Sequence, residues 1–144
     1  MPLVQDFVAV AERFDQAGLA LVSGRMSWLE ELAAAAVAPA ELASVEFGDA
    51  RSVAHAVIVP LLWVADDGPF TTLEADLRLE PVPPQGSHLG FSGTYELPSA
   101  GAGGGDGVTR QHRTEECVRR FITAVAATLE RGGADIHAVT TPRP

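Results

Sequence analysis

Residues 73 to 80 read LEADLRLE, and the alternation is strict: Leu73, Ala75, Leu77 and Leu79 share one parity, Glu74, Asp76, Arg78 and Glu80 the other. A period of two belongs to a β-strand. The segment is therefore a strand with a wet face and a dry face, and the dry face has to be covered by something else in the chain. HLGFSGTYELP, from residue 88 to 98, alternates in the same way and puts Leu89, Phe91, Tyr95 and Leu97 together. PVPPQGS, between the two runs, turns the chain back, so the two strands pair antiparallel.

The cover is supplied farther along. From Thr109 to Arg131, Val118, Phe121, Ile122, Val125 and Leu129 recur at helical spacing, with Gly132 and Gly133 as a stop. At about 1.5 Å per residue such a helix reaches roughly 30 Å, enough to cross a small sheet. Two shorter helices precede the strands. One runs from Glu12 to Val22; the other, over 27–38, opens on a Ser27–Glu30 capping box, carries Trp28, Leu29, Leu32, Ala33, Ala36 and Val37 on one face, and stops at Pro39. Residues 3–10, LVQDFVAV, fit either a strand or a helix. SVEF at 44–47 reads as a short strand, and SVAHAVIVPLLWVA at 52–65 as a long one that is apolar on both parities. Pro60 inside that run lacks a donor for the ladder and predicts a bulge or an edge position with a local change of face.

A chain of 144 residues accommodates one domain, expected over 1–133, followed by a loosely held tail at 134–144. Nineteen acidic residues against ten basic ones, all of them Arg, give a net charge of −9, which repels phosphate backbones and anionic lipid. Nucleic acid is not an expected partner. Cys117 is the only cysteine, so no intrachain disulfide forms and a reducing cytoplasm is the expected location. No window approaches the roughly 18 apolar residues of a membrane span, and no leader pattern opens the chain, so no membrane insertion is expected.

PSAGAGGGDGVTRQH, from 98 to 112, tests for a phosphate-binding loop. A dinucleotide fingerprint wants glycine at its first, third and sixth positions; from Gly101, Gly103 or Gly105 the sixth position is Asp106, Val108 or Arg110. A P-loop needs lysine, which the chain lacks. The stretch 99–107 reads as a flexible connection, able to close over a pocket.

Candidate chemistry is sparse. Glu74 and Asp76, with Glu96 on the next strand, would form an acid/base group, but alternation with leucine makes them a solvent face. His55, His88, His112 and His137 show no metal-ligand spacing, and no metal or other cofactor is expected. Cys117 near a helix start, with His112 close by in sequence, is a nucleophile candidate whose simpler role is packing.

The order of elements, carried by DFVAVAER (6–13), LEELAAAAV (29–37), LEADLRLEPV (73–82), GTYELP (93–98) and VRRFITAVAATLE (118–130), resembles the START-like or SRPBCC superfamily, and in particular its small actinobacterial members. The resemblance implies an α+β helix-grip fold: a curved antiparallel sheet of six or seven strands, beginning with residues 3–10, two short helices, and a long C-terminal helix packed across the sheet. It also implies a cavity between sheet and helix for a small hydrophobic molecule, lipid- or polyketide-like. Trp63, Phe70, Phe91, Tyr95 and Phe121 are the aromatic residues expected to line it, with Tyr95 and His55 as the polar groups that orient a ligand. Two alternatives accompany this reading. One is a cyclase- or aromatase-type enzyme in which Tyr95 or His55 handles a proton; the other is a protein-interaction domain with a filled core, dimerising through an exposed strand edge.

Overall fold

The alternating segments are strands, and the computed structural model, which describes residues 2–22, 27–38, 40–66, 68–84, 86–98 and 107–131, joins them into one antiparallel sheet. Its elements in chain order are β1 (Leu3–Val10), α1 (Phe14–Val22), α2 (Ser27–Val37), β2 (Glu41–Phe47), β3 (Arg51–Val53), β4 (Ala56–Asp66), β5 (Thr72–Val82), β6 (Gly86–Glu96) and α3 (Gly107–Glu130). The strand order is β1-β6-β5-β4-β2, with β3 also on β4. This is the helix-grip arrangement. The glycine-rich connection before Gly107, the stop at Gly132 and Gly133, the tail, and the side chain of Ser27 lie outside the described residues.

Residues 3–10 form a strand, and the register shows why their spacing was ambiguous. Val4, Val8 and Val10 lie on the parity that pairs with inward-facing residues of β6, whereas Leu3 and Phe7 sit on the other parity and remain exposed. Their recurrence at helical spacing reflects no helix face.

The run 52–65 is not one strand. Arg51–Val53 and Ala56–Asp66 form a hairpin in which Val53 faces Ala56, and the two turn residues are Ala54 and His55. Ala54 sits at φ 53°, the left-handed region that such turns normally fill with glycine. Without glycine or asparagine there, the turn carries no sequence signal.

Pro60 acts on its neighbour and not on its own strand. Its carbonyl accepts from the Gly48 N–H at 2.8 Å, so its nitrogen faces the same side and offers β2–β3 no donor. The ladder breaks opposite: pairing runs as far as Phe47↔Leu61 and resumes at Arg51↔Ile58, leaving one extra residue on the β2–β3 side. Pairing with β5 stays continuous through Pro60. The expected change of face therefore falls in the partner strand.

The inward parity of the sheet carries Val57, Val59, Leu61, Trp63 and Ala65 on β4, Leu73, Ala75, Leu77 and Leu79 on β5, and Leu89, Phe91 and Tyr95 on β6, all buried. Against them α3 buries Cys117, Val118, Phe121, Ile122, Val125, Ala126 and Leu129. Gly93 lets the sheet bend toward the helix. A Cβ there would stand 2.6 Å from Ala75 Cα and closer still to the Ala75 Cβ and the Glu74 carbonyl, so only a residue without a side chain permits this approach of β6 to β5.

At the β1 edge, α3 also covers the backbone. Phe7 N–H donates to its neighbour Asp6 Oδ1 at 2.8 Å, Arg119 donates to the same oxygen at 2.6 Å and reaches the Phe7 carbonyl at 3.5 Å, and Ala11 N–H donates to Glu130 at 2.8 Å. The outward backbone groups of Phe7, and the Ala11 N–H just past the strand, are thereby occupied and cannot template another strand.

Two substitutions test this account by urea unfolding. Gly93→Ala should lower stability by about 3 kcal/mol, because the obstruction includes backbone, while Gly90→Ala, whose added Cβ meets the ring of exposed Phe7 at 3.3 Å and the Arg78 carbonyl at an ordinary 3.9 Å, should cost less than about 1 kcal/mol. Ala54→Gly should stabilise the chain by about 1 kcal/mol by relieving its left-handed conformation.

Candidate functional site

Inward parity on three strands and one face of α3 converge on a layer of rings. Trp63 lies at its centre, with Phe121 edge-on at 4.9 Å and 90°, Phe91 at 5.9 Å and Phe70 at 6.4 Å. Phe91 and Phe121 meet at 6.2 Å. Tyr95 stands on the same transverse row as Trp63, since Trp63 pairs with Leu73 and Leu73 with Tyr95. Trp63, Phe70, Phe91 and Phe121 are 0% exposed and Tyr95 is 1% exposed. The structure thus places all five aromatic candidates in the space between sheet and helix, and packs that space closed around them.

Phe70 reaches the layer from an unexpected position. It precedes β5, in the connection that follows β4, where Gly68, Pro69 and Phe70 are all buried. The first turns of α3 hold that connection: Arg110 donates to the Gly68 carbonyl at 3.1 Å, and the Thr114 hydroxyl lies 3.5 Å from the Pro69 carbonyl. Phe47, which was not anticipated, stacks against Phe121 at 6.2 Å. Its signal was present in the parity it shares with Val45 within SVEF.

His55 does not join the site. A continuous strand would have given it the face of Trp63, but the hairpin at 54–55 leaves it exposed in a turn, eight residues or roughly 26 Å of strand from Trp63. The ligand-orienting pair of His55 and Tyr95 is therefore not assembled.

Two polar groups remain in the layer. The Trp63 indole Nε1 is buried and has no hydrogen-bond partner among the described residues. Burial, and secondarily the negative charge of Glu115, raise the Tyr95 phenol above its ordinary pKa, so the hydroxyl stays protonated throughout the neutral range. Tyr95 can donate a hydrogen bond but is a poor acid.

The remaining candidates separate. Glu74, Asp76 and Glu96 are exposed on the outward parity of the sheet and form no interior acid/base group. His88 stacks on Phe7 at 5.1 Å on that outer face, beside a depression of about 340 Å³ lined by Gln5, Arg78 and Gly90. His112 is exposed, 3.8 Å from Glu115, and His137 lies outside the described residues. Cys117 is buried, and that burial raises its thiol pKa, although Arg120, 3.6 Å from the sulfur, pulls the other way. Arg120 is also committed to the Ala36 carbonyl in the last turn of α2, at 2.9 Å. Among the described residues no three His, Cys, Asp or Glu side chains gather as a metal site, and no helix is long and apolar enough to cross a membrane.

The sequence matches no protein-family model and no curated protein. Solved structures do resemble it. TTHA0849 from Thermus thermophilus superposes with a TM-score of 0.51 at 17% identity, over 93% of this chain and 99% of that one. A conserved protein from Geobacillus kaustophilus gives 0.52 at 11% identity, over 88% and 97%. The Zhui aromatase/cyclase from Streptomyces gives 0.46 at 16% identity, over 96% and 95%. At these identities the likeness is one of fold.

The titrations have a defined sign. Because both Cys117 and Tyr95 hold their protons more tightly when folded, the stability they contribute is complete below the ordinary thiol value of about 8.5 and declines as pH rises through and beyond it. The native thiol should react with iodoacetamide at pH 8 at least about 100-fold more slowly than in urea. Tyr95→Phe should flatten the loss of stability above pH about 10 in urea titrations at fixed temperature.

Proposed function

We propose that the chain is a binding module, a single domain over residues 1–133 that holds a small hydrophobic molecule, lipid- or polyketide-like, between the sheet and α3. The observation that carries this reading is the ring layer. Trp63, Phe70, Phe91 and Phe121 meet where α3 crosses the sheet, with Tyr95 on the same row, and Phe70 stands on a short connection instead of a strand. A wall carried by a connection can withdraw without breaking the sheet. The closed interior is then the empty state, and ligand takes the volume that Phe70 vacates.

Binding without chemistry is favoured over the cyclase or aromatase alternative. That reaction needs a group that passes a proton near neutrality, whereas Tyr95 is held protonated and His55 stands on a distant turn. A single buried thiol accords with a reducing, cytoplasmic compartment, and a charge of −9 with a partner that is not nucleic acid.

Complete burial of the rings also favours a second reading, a filled-core interaction domain. Dimerisation would then use the β2–β3 edge, because at the β1 edge the backbone groups of Phe7 and Ala11 are already taken by Asp6, Arg119 and Glu130.

Native mass spectrometry of the freshly purified protein, beside its denatured mass, separates the two. The binding module should retain a stoichiometric small molecule, or show a melting temperature raised by apolar compounds. A clean mass with no stabilisation by any of them would support the filled-core domain.

A further inference from the structure

We infer that the indole N–H of Trp63 is the recognition donor of this interior, and that the ligand is a flat, apolar molecule bearing an uncharged acceptor oxygen of the carbonyl type. The inference rests on the binding reading above and adds to it the chemistry of the occupant.

A buried donor without an acceptor destabilises the fold that contains it. Trp63 Nε1 is such a donor. The three rings packed on the indole, Phe70, Phe91 and Phe121, carry no nitrogen or oxygen in their side chains to accept from it. Phenylalanine at 63 would extend the same ring layer and leave nothing unpaired. The indole therefore makes sense where an acceptor arrives with a bound molecule.

The rings also limit the shape. Phe121 meets Trp63 at an interplanar angle of 90°, Phe91 at 51° and Phe70 at 31°, so the wall around the indole is aromatic and suits a planar body. Burial limits the acceptor. Trp63, Phe70, Phe91 and Phe121 are fully buried and bring no cation to the indole, so a carboxylate there would be desolvated without a partner, whereas a neutral oxygen is not penalised in that way. Tyr95, as a protonated phenol on the same row, offers a second donor to a longer ligand.

Acetophenone and α-methylstyrene form a matched pair of probes, alike in shape and differing in a carbonyl oxygen against a methylene. The chain has two tryptophans, so Trp28→Phe leaves Trp63 as the single indole for ¹H–¹⁵N spectra. Acetophenone should bind roughly fivefold more tightly than α-methylstyrene, the factor expected for one net hydrogen bond, and should move the Trp63 indole proton downfield. In Trp63→Phe that preference should vanish while both probes still bind. If Trp63→Phe does not fold, the indole resonance of the Trp28→Phe protein decides alone. Equal affinities with an unmoved indole proton would overturn the recognition role and leave the apolar-binding reading standing. If neither probe binds, both fall.

Discussion

Phe121 reaches from the middle of α3 to the point where Trp63, Phe91 and Phe47 come together, and the rest of the molecule is arranged around that contact. A single antiparallel sheet with a dry face is unstable until something apolar lies on it, and one long helix has to serve the full width. The sheet meets the helix halfway. Gly93 removes the side chain that would keep β6 away from β5, and the interruption opposite Pro60 relaxes the far edge, so strands on both sides of the centre can face the same ring. Phe47 on β2 and Phe91 on β6, with β5 and β4 between their strands, both touch Phe121.

The same helix handles a different problem on its flank. Arg119 lies two residues before Phe121 and points toward β1, where it holds Asp6 while Asp6 accepts from the next residue's N–H. Glu130, near the helix end, closes another donor at Ala11. One face of α3 is thus apolar and buried, and its border is charged and assigned to backbone. The Arg119–Asp6 ion pair keeps its arginine more than half exposed and contributes little stability on that account. What these side chains do is occupy outward backbone groups at Phe7 and Ala11.

Much of this was legible because the relevant signals are local. β5 and α2 follow unbroken periods, and the alternation of residues 88–98 put Phe91 and Tyr95 on one face, whereas the run that holds Trp63 is apolar on both parities and left its face open. What escaped depends on backbone conformation or on distance. The turn at Ala54 and His55 contains no residue that favours a left-handed φ, so the run looked continuous and His55 inherited the wrong face. Phe47 ends a strand whose register shifts once between Leu42 and Ser44 and whose pairing breaks just after it, which shortens its alternation to four visible residues. The lack of an acceptor for the Trp63 indole is a property of its surroundings in three dimensions, and no pattern along the chain records it.

β1 pairs only with β6, and its Phe7 and Ala11 edge groups are capped by side chains of α3. During synthesis from the N-terminus, the first strand therefore emerges with no partner on either side. It waits, unpaired, while some eighty residues follow it. Docking of the last helix then completes the interior and seals that strand in one event, so the interval before α3 arrives is the period in which this chain is most open to association with its neighbours.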